Sequence, residues 1–108
     1  MSSTFKIIDF SEVLNSIMTT QFHQEIEALV KAGVKIVLLD FKNVEFMTSS
    51  GLMMLVAALR IVRNAGGKLC LCSINEKVKI LFELTGVDQF FETFANPEEF
   101  NPALFLNA

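Results

Sequence analysis

Two adjacent hydroxyl side chains, Ser49 and Ser50, are the residues best placed for chemistry in this 108-residue sequence. They stand directly before Gly51, at the start of a long apolar segment in the stretch FMTSSGLMMLVAALR. A hydroxyl in such a place can cap a helix, act as a nucleophile, or accept a phosphoryl group. The rest of the sequence decides which of these roles is supported.

A nucleophilic serine needs a base, and the sequence offers none that fits. A serine nucleophile between a strand and a helix is expected in the pattern G-x-S-x-G, of which only the second glycine is present. His23 is the only histidine, and its glutamine neighbours within a predicted helix are typical of a solvated position. We therefore expect a protein that is not an enzyme and has no catalytic residue.

No cofactor or metal site is apparent either. Gly66 and Gly67 follow a predicted helix and precede a strand, whereas a phosphate-binding loop has the reverse order. Cys70 and Cys72 share one face of a predicted strand, and no set of four ligands accompanies them for zinc. The two thiols are interpreted as small core residues in a reducing compartment.

Composition limits the partners and the location. A hydrophobic fraction of 52% and a mean hydropathy of +0.48 predict one folded domain over residues 1–108. A net charge of −3 with nine Lys and Arg argues against nucleic acid as a partner. The longest uncharged stretch, Phe46–Leu59, is too short to cross a membrane, and no signal-peptide pattern is present. We expect a soluble, cytoplasmic protein without direct membrane insertion.

Strands and helices alternate in the predicted element order, which is typical of an α/β fold with right-handed crossovers. The predicted strands cover residues 5–10, 34–40, 68–74 and part of 87–94, and residues 12–14 can extend the first. The predicted helices cover about 19–32, 50–64 and 76–85, and a further helix is expected to start at Asn96-Pro97. Functional groups of such folds lie at the carboxyl ends of the strands, where the loop at residues 41–50 carries the two serines.

Residue types also mark the predicted helix ends. Thr19 or Thr20 can cap the first helix, and Gly33 can end it in the left-handed conformation. Asn75 is predicted to cap the third helix and Gly86 to end it.

Met53 and Met54 follow the serines, and their environment is ambiguous from sequence. They could pack in the core, or they could form an exposed, adaptable patch that binds a protein. One serine suffices to cap the helix, which leaves the other available as a phosphoryl acceptor. A phosphoryl group of about −1.5 to −2 charge would suit a helix N-terminus but not a partner docked on apolar side chains.

Three blocks of the sequence resemble the STAS domain, the anti-sigma-factor antagonist family. They are VEFMTSSGL at 44–52, GGKLCLCSI at 66–74 and VKILFELTGVDQFF at 78–91. The resemblance covers essentially the whole chain. It implies a single STAS domain over 1–108, with a mixed, mostly parallel sheet of four to five strands in a βα superhelix.

The resemblance also implies a non-enzymatic partner-switching regulator. Family members bind an anti-sigma-factor serine/threonine kinase, which phosphorylates them, and a metal-dependent serine phosphatase restores the binding form. By position the phosphoacceptor is Ser49, and Ser50 is expected to support the helix start. The expected partner-binding residues are Thr48, Ser50, Gly51, Met53 and Met54.

Two segments depart from the family pattern. Thr48 stands where the family usually has Asp, and Glu12–Asn15 replaces a G-R-L-D segment. These departures are consistent with a divergent antagonist that has a different kinase or target. The loss of Asp at position 48 favours an alternative, a STAS scaffold that does not switch or a small subunit of a membrane-transport complex. Thr48 is also a second candidate acceptor of the phosphoryl group.

Overall fold

The computed structural model describes residues 5–11 and 19–96. The strands are β1 (Phe5–Asp9), β2 (Ile36–Asp40), β3 (Lys68–Cys72) and β4 (Glu92–Phe94). The helices are α1 (Thr19–Lys31), α2 (Ser49–Asn64) and α3 (Glu76–Thr85), followed by a 3-10 helix at Val87–Phe90. The expected strand extension at 12–14, the Glu12–Asn15 segment and the helix expected from Pro97 onward lie outside the described residues.

The four strands form one sheet in the order β1-β2-β3-β4, and every pair is parallel. The predicted α/β class with a mostly parallel sheet is therefore confirmed, and β2 is a central strand as expected. β2 begins two residues later than predicted because the amide of Val34 still donates to the carbonyl of Leu29 in α1, at 3.0 Å. β3 ends at Cys72 because Ser73 adopts a φ of +61° and turns the chain out of the strand.

Apolar residues cover β2 on both faces. Val37 and Leu39 belong to the main core, which the three helices close. Ile36 and Leu38 pack on the opposite face with the two cysteines, Cys70 and Cys72. Both thiols are buried, as expected for small core residues. Burial, together with the nearby Glu92 carboxylate, raises the pKa of the Cys70 thiol to about 12.

Helix α2 lies on the sheet with one apolar face. Its buried residues are Gly51, Met54, Leu55, Ala58, Leu59 and Val62. After the helix, Gly67 passes close to the neighbouring strand, and a Cβ there would lie 2.5 Å from the Lys35 carbonyl oxygen. This close approach lets the Lys68 amide donate to the same oxygen at 2.8 Å, where the β2–β3 pairing begins.

The predicted ends of two helices are confirmed. Gly33 follows α1 with a φ of +94°, and Gly86 ends α3 with a φ of +75°, both in the left-handed region. The cap expected at Thr19 or Thr20 depends on side chains outside the described part. Among the described helices, none has the length and apolar character needed to cross a membrane.

Candidate functional site

The loop between β2 and α2, residues 41–48, delivers the chain to the two serines. Phe41, Val44 and Met47 are buried and hold the loop against the core. The Phe41 ring stacks on Phe10 with centroids 5.0 Å apart and meets Phe82 edge-on at 6.1 Å. The loop therefore has a fixed inner side, and its remaining side chains are presented outward.

Asn75 fixes the middle of this loop from a distance in sequence. Its Oδ1 accepts from the Val78 amide at 2.9 Å, which confirms the predicted cap of α3. Its Nδ2 donates to the carbonyl oxygens of Val44 at 3.1 Å and Glu45 at 3.0 Å. One side chain thus begins α3 and holds the loop that leads to Ser49. Sequence reasoning found the cap but missed the loop contact.

Thr48, not Ser50, caps α2. Thr48 has extended backbone angles, φ −87° and ψ 169°, and its Oγ1 accepts from the Gly51 amide at 3.3 Å. The prediction that Ser50 supports the helix start is wrong. The helix begins at Ser49, one residue earlier than expected, so both serines lie inside its first turn. The residue directly before the helix, which is the one that can cap it, is therefore Thr48.

Both serine side chains are exposed at the N-terminus of α2. Neither hydroxyl makes a hydrogen bond to any described residue. The positive end of the helix dipole and the unpaired amides of the first turn lie at the same place, where an anion is stabilised. Ser49 and Ser50 are therefore both available for modification, whereas the Thr48 hydroxyl is engaged in the cap.

The two methionines have different environments. Met54 is 7% exposed and packs in the core, so the expectation that it contacts a partner is wrong for this side chain. Met53 is 73% exposed, one helical turn after Ser49. A 100° turn per residue separates neighbouring helix positions, which is why one methionine faces the sheet and the next faces outward. Gly51 is buried and can offer a partner no side chain.

Two apolar features beside Ser49 were not predicted. Phe46, in the loop, is 70% exposed. A shallow groove of about 320 Å³ runs along the outer side of α2, lined by Leu52, Met53, Val56, Ala57 and Arg60. The surplus of apolar residues on α2 is a signal for the groove, but the sequence does not show which of them point outward.

Polar groups at the carboxyl ends of β1 and β2 complete the surroundings. Asp9 and Asp40 are paired in the strand register. Asp40 is buried and accepts from the Lys42 amide at 3.0 Å. The pKa of Asp9 is lowered, mainly because the Ser11 hydroxyl donates to its carboxylate, and burial partly opposes this. Within the described residues, no three His, Cys, Asp or Glu side chains are grouped to hold a metal.

His23 is not the solvated side chain that its glutamine neighbours suggested. It is half-buried on α1, and its Nε2 lies out of solvent without a hydrogen-bond partner among the described residues. No hydrogen bond joins it to Ser49 or Ser50.

Comparisons with known proteins agree on one family. BtrV of Bordetella bronchiseptica, a candidate anti-sigma factor antagonist by name, is 31% identical over 96 residues, which are 89% of this chain and 82% of BtrV. The crystal structure of a candidate anti-sigma factor antagonist from Thermotoga maritima superposes with a TM-score of 0.63 at 25% identity, covering 74% of this chain and 72% of that one.

A third protein shares the fold at lower identity. Bacillus SpoIIAA in its phosphorylated form superposes with a TM-score of 0.60 at 19% identity, over 96% of this chain and 86% of that one. The sequence profile of the STAS domain matches residues 2–100. With that match, the BtrV alignment and the parallel β1-β2-β3-β4 sheet, the chain belongs to the STAS domain family, among relatives named anti-sigma factor antagonists.

Proposed function

We propose that this chain is an anti-sigma factor antagonist that binds a serine/threonine kinase and is released when that kinase phosphorylates Ser49. The observation that carries the proposal is the division of roles at the start of α2. Thr48 caps the helix, so the exposed Ser49 hydroxyl has no structural hydrogen bond to lose.

The position of Ser49 gives phosphorylation opposite effects on the free and the bound chain. In the free chain the phosphate stands at the positive end of the α2 dipole and in water, and it is tolerated there. In a complex, a partner seated on Met53 and Phe46, both exposed, would exclude water from the same place. Burial of an unpaired phosphate is costly, so phosphorylation favours dissociation. The expected contact residues are Thr48, Ser50 and Met53, together with Phe46.

Thr48 remains compatible with this role although the family usually has Asp there. Both residue types are good N-caps, because each offers a side-chain oxygen to the amide three residues later. The substitution keeps the cap and removes one negative charge beside Ser49. That missing charge changes what a kinase meets, so the kinase is expected to differ in the residues that face Thr48.

Relatives support the same proposal. BtrV is named a candidate anti-sigma factor antagonist, and SpoIIAA, which shares this fold, has a structure in the phosphorylated form. A metal-dependent serine phosphatase would return this chain to its binding form. The alternative, a non-switching STAS scaffold or transport subunit, predicts a stable complex without phosphate on residues 48–50.

The test is phosphorylation by the cognate kinase. Wild type, Ser49→Ala, Ser50→Ala and Thr48→Ala are incubated with the kinase and ATP, and phosphate is mapped by peptide mass spectrometry. We expect phosphate on wild type and Ser50→Ala but not on Ser49→Ala, which should still bind the kinase. Phosphate on Ser49→Ala at the wild-type rate would transfer the role to Thr48 or Ser50. A kinase complex without any phosphate in the MTSSG peptide would favour the non-switching alternative.

A further inference from the structure

The outer face of α2 carries an ordered series of side chains. Ser49, Met53, Val56 and Arg60 follow one another at spacings of three or four residues, which places them in one stripe along the helix. Leu52 and Ala57 flank the stripe and complete the groove of about 320 Å³. The Cα atoms of Ser49 and Arg60 are about 16 Å apart along the helix axis, at roughly 1.5 Å per residue.

Charge is distributed unequally along this helix. α2 contains two arginines, Arg60 and Arg63, and no acidic residue, although the whole chain has a net charge of −3. Arg60 lines the end of the groove and is exposed, and it has no ion pair with a described residue. Arg63 lies one turn further along the same face, beyond the residues that line the groove, and its guanidinium group stands over the Phe90 ring, 5.9 Å from the centroid.

We propose that the groove binds an acidic amphipathic helix of a protein partner, with a carboxylate of that helix paired to Arg60. A straight groove along a helix accepts the apolar ridge of another helix. The apolar side chains of the partner would lie against Met53 and Val56, and an Asp or Glu about one turn beyond the second of them would meet the guanidinium group of Arg60. An Arg at the end of an apolar groove pairs well with a planar carboxylate.

This inference specifies the chemistry of the partner surface, and its link to regulation rests on the proposed function. A helix that fills the groove lies with one end beside Ser49. Its acidic residues would be attracted by Arg60 and repelled by a phosphate on Ser49. Arg60 would therefore strengthen binding of this helix, and phosphorylation of Ser49 would weaken it.

Selection from a displayed library of random helical peptides tests the inference without knowledge of the natural partner. The library is selected in parallel on wild type, Arg60→Glu and Arg63→Glu. Arg63→Glu is the matched control, because it makes the same change of charge on the same helix one turn beyond the groove, at a guanidinium group that stands over Phe90. We expect wild type and Arg63→Glu to enrich an apolar pair three or four residues apart together with Asp or Glu. Arg60→Glu should lose the acidic preference and select Lys or Arg instead.

Binding measurements on an enriched peptide locate the site. Titration of ¹⁵N-labelled chain should shift the amide signals of residues 52–60, and Arg60→Glu and Met53→Lys should each weaken binding by about tenfold. Arg63→Glu should leave the affinity unchanged. Failure to enrich any peptide, enrichment of the same peptides on wild type and Arg60→Glu, or shifts confined to other residues would overturn the inference.

Phosphorylated chain separates the inference from the proposed function. Peptide binding in the groove with an Arg60-dependent acidic preference, but without weakening by phosphate on Ser49, would support the docking surface and contradict the switch. Phosphorylation of Ser49 by a kinase, with no acidic preference in the selected peptides, would contradict the docking inference alone.

Discussion

At the scale of single residues, the Thr48 hydroxyl determines how α2 begins. Thr48→Ala should lower the free energy of unfolding by about 0.5–2 kcal/mol, because the Gly51 amide loses its acceptor. Thr48→Asp should retain most of the stability, since a carboxylate can cap the same amide. Ser50→Ala should stay within about 0.5 kcal/mol of wild type, because its side chain is exposed and makes no described hydrogen bond. Urea unfolding measures all three, and a larger loss in Ser50→Ala than in Thr48→Ala would contradict the assignment.

The Cys70 thiol gives a prediction for alkaline pH. Its pKa in the folded chain is about 12, against an ordinary value of 9.0. Between these values the unfolded chain releases the thiol proton and the folded chain keeps it, so stability falls as pH rises above about 9. The free energy of unfolding of wild type and Cys70→Ala should be compared from pH 8 to 11. As pH rises, wild type should lose stability relative to Cys70→Ala. A difference in free energy of unfolding that does not depend on pH would show that the thiol has an ordinary pKa in the folded chain.

Only part of the site could be predicted at this scale. The N-cap of α3 at Asn75 and the end of α3 at Gly86 follow from local residue patterns, and both were predicted from the sequence. Thr48, Ser49 and Ser50 can all cap a helix, and which one does depends on where the buried Met47 anchors the chain. The same holds for the two methionines, whose roles depend on the rotation of α2 against the sheet.

At the scale of elements, Asn75 connects the start of α3 to the loop before α2. Asn75→Asp keeps an acceptor for the Val78 amide but cannot donate to the carbonyls of Val44 and Glu45, whereas Asn75→Ala loses all three bonds. We expect both variants to accelerate hydrogen exchange in the loop and the first turn of α2. Exchange in the first turn of α3 should rise only in Asn75→Ala.

Mass spectrometry of exchange after proteolysis resolves the two regions. Val78→Ala serves as the control, since it removes core packing and leaves the three hydrogen bonds of the Asn75 side chain in place. If the loop of Asn75→Asp exchanged like wild type, the two donated bonds would contribute nothing to its position.

The order and type of elements were largely predictable, because strand and helix periodicities differ and glycines mark the ends. Two strand boundaries were not. β2 starts late because Val34 remains bonded to α1, and Ser73 ends β3 by a backbone turn that glycine normally makes. The Val34 bond belongs to the end of α1 at Gly33 and shortens the strand that follows, and a serine gives no local signal for the left-handed conformation of Ser73.

At the scale of the whole molecule, one central strand supports both cores. Val37→Asp should prevent folding, because it places an unpaired charge where the side chain is fully buried between two parallel neighbours. Ile7→Asp, on the adjacent strand, is the matched control, since Ile7 is 47% exposed. Circular dichroism and thermal unfolding distinguish them. A cooperative unfolding transition in Val37→Asp would contradict the central, buried placement of β2.

The sheet has its strands in the same order as the chain, and this has a consequence for synthesis on the ribosome. Each new βα unit can add to the edge of what has already emerged, because none of the four described strands must insert between earlier ones. Ser49 and its loop, however, emerge well before Asn75, whose amide holds the loop in place. A nascent chain that ends before Asn75 therefore carries Ser49, the proposed phosphoacceptor, without the contact that holds its loop. The proposed recognition surface therefore reaches its final form only after β2, which precedes its loop, can already pair with β1 and β3.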